Sequence, residues 1–268
     1  MSVYYTSGSQ TGKRKEEQAE MSQINEIPMP DADIRIVPVI LLVDVSGSMG
    51  DPVIGAGTDD GSRKITVVNK YMRLFFQELA NSSDLSTELD ACIIAFGTHA
   101  DVILHLCAID QAGWQDLTAN GQTNLTEALE KAKEIIESRN MPKNCGRPSL
   151  LLISDGHPYP ANNWRAVLED FISNGRTARC DRFALGIGRE TDYNMLGMFA
   201  SKPEWVFEAQ NVMNIGEFFR YVSTHTKAKT RAGAAPGSGQ GTPAPGGKPF
   251  VTIAKPGNAP QKKNPFMS

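Results

Sequence analysis

Val37-Pro38-Val39-Ile40-Leu41-Leu42-Val43-Asp44-Val45-Ser46-Gly47-Ser48-Met49-Gly50 is the stretch on which the fold turns. Its first seven residues are apolar without alternation, which predicts a strand buried on both faces, as in a parallel sheet. The run is broken by Pro38 and is too short to cross a bilayer. It ends abruptly in an aspartate followed by two serines spaced by glycine, so a buried strand delivers oxygen-bearing side chains to its carboxyl end.

The same design recurs downstream. Leu150–Ile153 is a second fully apolar run, and it stops at Ser154-Asp155-Gly156. Between the two runs, Leu89–Phe96 and Val102–Cys107 read as strands joined by a turn at Gly97-Thr98-His99. Phe183–Ile187 and Trp205–Phe207 read as two more. Ile65–Leu79, Thr126–Ile136, Trp164–Ile172, Asn194–Ala200 and Ile215–Ser223 carry apolar residues at helical spacing. Strands alternating with helices predict a Rossmann-like, doubly wound, mostly parallel six-stranded sheet with helices on both faces. The one hairpin-like pair supplies a single antiparallel edge strand. Ligands of such sheets bind beyond the carboxyl ends of the strands, where the strand order reverses.

The organisation is a polar N-terminal segment over 1–33, a folded domain over 34–228 and a Gly/Pro-rich basic tail over 229–268. The tail's composition cannot bury enough apolar surface to offset the entropy of ordering it. Within it, Lys248–Lys255 contains Phe250, Val251 and Ile253, which a flexible linker does not need; Phe250–Ile253 reads either as a segment that docks on this domain or on a partner chain, or as a stray apolar patch in the tail. The net charge of −3 conceals −11 over residues 1–217 and +8 beyond them. An acidic body argues against nucleic acid as the ligand, because phosphate binding needs a basic face. The first thirty residues lack the apolar centre of a signal peptide. Four cysteines without a CxxC pair call for neither zinc nor disulfides. A cytoplasmic protein without a membrane role is expected.

Asp44, Ser46 and Ser48, with Thr123 in Gly121-Gln122-Thr123-Asn124 and with Asp155, are all placed to reach one edge of the sheet. All five are hard oxygen donors, which suit Mg²⁺ (Mn²⁺ and Ca²⁺ being the alternatives) with waters completing the shell. Three of the five are neutral hydroxyls, so the ion keeps an appetite for one further carboxylate from another molecule. Gly47 and Gly156 are expected to permit tight turns beside the donors.

At these residues the chain resembles von Willebrand A domains, whose metal-ion-dependent adhesion site has the pattern of Asp44-Val45-Ser46-Gly47-Ser48, Thr123 and Asp155. The resemblance covers roughly residues 34–226. VPVILLVDVSGSMG, GQTNLTEAL and LLISDGHP look most like bacterial cytoplasmic members of the tellurite-resistance TerY type. The resemblance implies an adaptor in a signalling or stress response. Its partner would be a protein supplying an Asp or Glu, with a protein kinase or a PP2C-type phosphatase as associates. One departure is the long Gly-rich excursion Asp51–Arg63, whose Asp51, Asp59 and Asp60 lie near the expected ion.

Enzymatic alternatives fit less well. A hydrolase or phosphatase using the same strand-end site is the main one. However, an aspartyl phosphatase of the haloacid-dehalogenase type has a second Asp where Ser46 stands. No GxSxG elbow or phosphate loop occurs. His157 is the one histidine placed to act as a base.

Overall fold

The computed structural model describes residues 35–53, 62–81, 87–141, 145–159, 163–188 and 190–233. The expectations for 1–33, for Asp59 and Asp60, and for the Phe250–Ile253 segment lie outside them.

Six strands form one sheet: β1 (Arg35–Asp44), β2 (Thr87–Phe96), β3 (Ala100–Ala108), β4 (Ser149–Ser154), β5 (Asp181–Ile187) and β6 (Val206–Ala209). Their order is β3-β2-β1-β4-β5-β6. Every neighbouring pair is parallel except β2 and β3, which meet as the expected antiparallel edge. The turn between them is closed by Gly97 N–H donating to the His99 carbonyl at 2.8 Å.

The unbroken apolar run of β1 serves two cores at once. Val37, Val39, Leu41 and Val43 face one, and Ile40 and Leu42 face the other. On the first face lie α1 (Lys64–Ala80) and α5 (Val212–Gly233), with Phe75, Phe76, Phe218 and Phe219 packed on the sheet. On the second lie α2 (Leu125–Glu137), α3 (Trp164–Ser173) and α4 (Tyr193–Phe199). Burial of this continuous apolar surface is the main force holding the layers together. Pro38 is tolerated in a central strand because pairing with β4 begins only at Val39↔Ser149, so the missing N–H falls before that ladder starts.

The last helix departs from expectation. It runs to Gly233, ten residues beyond the predicted end at Ser223. The sequence there turns polar, which reads as an ending, but the polar side chains have partners in the fold. Lys227 pairs with Glu78 of α1 at 2.7 Å, and Lys229 pairs with Asp181 of β5 at 2.5 Å. Among the described residues no helix is long and apolar enough to cross a membrane.

Candidate metal centre

From β1 the chain moves to β2 on one side, then returns to β4 on the other. The strand order therefore reverses between β1 and β4, whose carboxyl ends lie side by side at Val43↔Ile153. Asp44 is the last residue of β1 and Asp155 follows the last residue of β4, so both acids emerge at the switch point.

After Asp44 the chain tightens into a 3₁₀ turn, Gly47–Gly50. Ser46 N–H donates to Asp44 Oδ1 at 2.8 Å, and the hydroxyls of Ser46 and Ser48 lie 3.1 Å apart. Ser48 Oγ donates to Asp155 Oδ1 at 2.8 Å. Thr123 reaches the same place from the loop before α2. A Cβ built on Gly156 would sit 3.9 Å from both Ser48 Oγ and Thr123 Oγ1. The five expected donors are thus brought together.

Thr123 does not cap α2, the ordinary role for a threonine at a helix entrance. Asn124 takes that role, its side chain accepting from Glu127 N–H at 3.3 Å. The threonine loop is held against the serine turn by Gly47 N–H donating to the Gly121 carbonyl, at 3.0 Å. Asn120 N–H donates to the Val45 carbonyl at 2.6 Å. Gly121 adopts φ +85°, and a Cβ there would collide with the backbone nitrogen of Thr98 at 2.9 Å.

The expectation about the other glycines is corrected. Gly47 and Gly156 have no positive φ. Gly47 is needed for no special turn; Gly156 instead leaves open the space between the Ser48 and Thr123 hydroxyls.

Asp44 is fully buried. Burial pushes its carboxyl up to about 6, against the opposing hydrogen bond from Ser154 and those from Ser46. The Ser154 hydroxyl donates to Asp44 Oδ2 at 2.6 Å. A buried carboxylate that makes no ion pair among the described residues is costly unless a cation compensates it. The surrounding donors are all hard oxygens, so the residues fit a Mg²⁺-type ion. Among the described residues no three His, Cys, Asp or Glu side chains cluster as a metal site; the donors here are two carboxylates and three hydroxyls.

Two functional residues were not foreseen. In the sequence Ser154 reads only as part of a strand end. Lys64, the first residue of α1, places Nζ 2.6 Å from Asp155 Oδ2 and 3.4 Å from the Ser48 carbonyl. Its side chain is only 15% exposed, so it is built into the site. A lysine opening an amphipathic helix reads as a solvated end, and nothing local signals an ion pair across 91 positions.

His157 stands on the rim with its side chain 67% exposed, 3.4 Å from Asp192. Asp51 is exposed, and its carbonyl accepts from Lys64 N–H at 3.0 Å.

Residues 39–157 match the model of the von Willebrand factor type A domain. No curated protein matches. Among solved structures, the PilB minor pilin from Streptococcus sanguinis superposes with a TM-score of 0.58 at 14% identity, over 76% of this chain and 64% of that one. A von Willebrand factor type A protein from Catenulispora acidiphila gives 0.53 at 17%, over 72% and 43%. The pilus adhesin SpaC from Lactobacillus rhamnosus GG gives 0.55 at 13%, over 72% and 31%. The chain thus spans less than two thirds of each of these proteins. Its fold is the Rossmann-like α/β fold of von Willebrand factor type A domains.

Proposed function

We propose that the chain is a metal-dependent protein-interaction module. Asp44, Ser46, Ser48, Thr123 and Asp155 would hold one divalent cation, Mg²⁺ ahead of Mn²⁺ or Ca²⁺. Bound there, the ion would offer a coordination position to an Asp or Glu carboxylate of a partner protein. The observation that carries this reading is the fully buried Asp44 carboxylate, set beside three hydroxyls and a second carboxylate at the topological switch point. Charge supports it further. Two carboxylates balance a divalent ion, and the Lys64 ammonium leaves one positive charge over, which favours an anionic partner group.

Hydrolysis at the same edge is the weaker reading. The Ser46 and Ser48 hydroxyls bond to each other and to Asp155, and His157 faces Asp192 on the exposed rim. Two structures of this fold are a minor pilin and a pilus adhesin, which accords with binding. The module would work in a cytoplasmic bacterial stress-response or signalling system of the tellurite-resistance type, with a kinase or PP2C-type phosphatase as associate, a reading that the motif resemblance supports. The four free cysteines suit a reducing compartment.

Affinity capture from the native cell, with and without chelator, tests the proposal. Capture should be lost in chelator and in an Asp44→Ala protein that melts as the wild type does. Capture that persists in excess chelator contradicts it, and so does turnover of a generic phosphomonoester by the metal-loaded protein.

A further inference from the structure

The opposite end of the sheet carries a second feature. At the amino ends of β4 and β5 lies a cleft of about 830 Å³, within the size range of small-molecule sites. Five cationic side chains line it, Arg147, Arg176, Arg179, Arg182 and Lys202, against one carboxylate, Asp181.

That carboxylate is already claimed. Arg147 Nη1 lies 3.2 Å from Asp181 Oδ1, while Lys229 Nζ and His225 Nε2 lie 2.5 and 3.5 Å from Oδ2. The nearby Glu137 is engaged by the backbone N–H groups of Arg176 and Thr177. The remaining cations have no carboxylate within ion-pair distance among the described residues. Buried Arg182 donates to the carbonyls of Phe199, Thr177, Ala178 and Cys180 at 2.8–3.4 Å. Arg176 Nη2 meets the Cys145 sulfur at 3.2 Å, and Lys202 Nζ stands 4.5 Å above the Trp205 ring. The Arg179 side chain is exposed and unpartnered among the described residues.

Counting Lys229, six cations face two carboxylates, a formal excess of four, on a chain whose first 217 residues carry −11. Such a concentration of like charge is unfavourable unless an anion completes it. Guanidinium forks match phosphate oxygens in geometry, and an excess of four matches the charge of a di- or triphosphate rather than of a single phosphate.

We propose that this cleft binds a polyphosphate chain, presented either as inorganic tripolyphosphate or as a nucleoside di- or triphosphate. It is separate from the carboxyl-end site and does not depend on a metal there.

Calorimetric titration of the full chain in EDTA, with tripolyphosphate, ATP and orthophosphate in turn, tests this. Tripolyphosphate should bind, and orthophosphate at least tenfold more weakly. ATP within a few-fold of tripolyphosphate identifies the shared chain as the recognised group; ATP much tighter identifies a nucleotide as its source. The double variant Arg179→Gln/Lys202→Gln changes two exposed side chains, so it should melt as the wild type does while losing at least tenfold in affinity for tripolyphosphate. An absence of tripolyphosphate binding, or equal affinity in the double variant, overturns the proposal. Tighter binding of a poly-glutamate peptide than of tripolyphosphate does the same.

Discussion

Asp44 and Lys64 divide the electrostatics of the candidate metal centre between them. Asp44 brings negative charge into a fully buried position, and Lys64 brings a positive one onto Asp155. In our account the ammonium competes with a divalent ion for Asp155 yet supplies the net positive charge that draws a partner carboxylate. Lys64→Met should therefore act in opposite directions on the two steps. Mg²⁺ affinity should rise by roughly tenfold, about 1.4 kcal/mol, while partner affinity in saturating Mg²⁺ should fall. Calorimetry for the ion and surface capture for the partner separate the effects. Loss of both affinities would mean that Lys64 only positions Asp155. Asp44, the two serines, Thr123 and Asp155 were legible in the sequence because each follows a strand or precedes a helix. Ser154 and Lys64 were not, since their roles arise from contacts 110 and 91 positions away along the chain.

At the level of elements, the two loops of the centre are held together by backbone geometry in which Gly121 has a special part. Gly121 sits at φ +85° and anchors Gly47 through its carbonyl. Gly121→Ala should destabilise the fold by about 1–3 kcal/mol through strain and the clash with Thr98. It should also weaken ion binding, because Thr123 lies two residues on. Thermal melting and Mg²⁺ titration of the variant check both; unchanged values would mean the loop adapts freely. The end of α5 shows a second limit of the sequence. Thr224–Lys229 looks like a helix fading into a tail, yet Lys229 and His225 sit on Asp181. Burial alone would raise that carboxyl, but the hydrogen bond from His225 and the Lys229 ammonium, with Arg147 beyond them, hold it well below the usual carboxylate range. A carboxyl depressed in the folded state stabilises fully above its unfolded value of about 3.9, and that stabilisation fades as the pH falls toward the folded value. Asp181→Asn should therefore melt below the wild type at pH 7, with the gap narrowing below about pH 4. A gap independent of pH contradicts the ion-pair account.

For the whole molecule, the alternation of strands and helices fixed the class of sheet, and the hairpin at Gly97 fixed its antiparallel edge. The strand order followed less directly, since nothing local in Val37–Val43 says that β2 and β4 flank it on opposite sides. That arrangement nevertheless decides where the chemistry lies, because it sets the carboxyl ends of β1 and β4, which carry Asp44 and lead into Asp155, side by side. The most direct test is calorimetric titration of the full chain with Mg²⁺ after exhaustive dialysis against chelator, beside Asp44→Asn and Asp155→Asn. We predict one ion per chain for the wild type, with binding lost in both variants; in chelator Asp44→Asn should melt at or above the wild-type value, as expected when an unpaired buried charge is removed, and Asp155→Asn below it, because Lys64 loses its partner. Wild-type protein that binds no divalent ion, or variants that bind it as tightly as the wild type, would contradict the account.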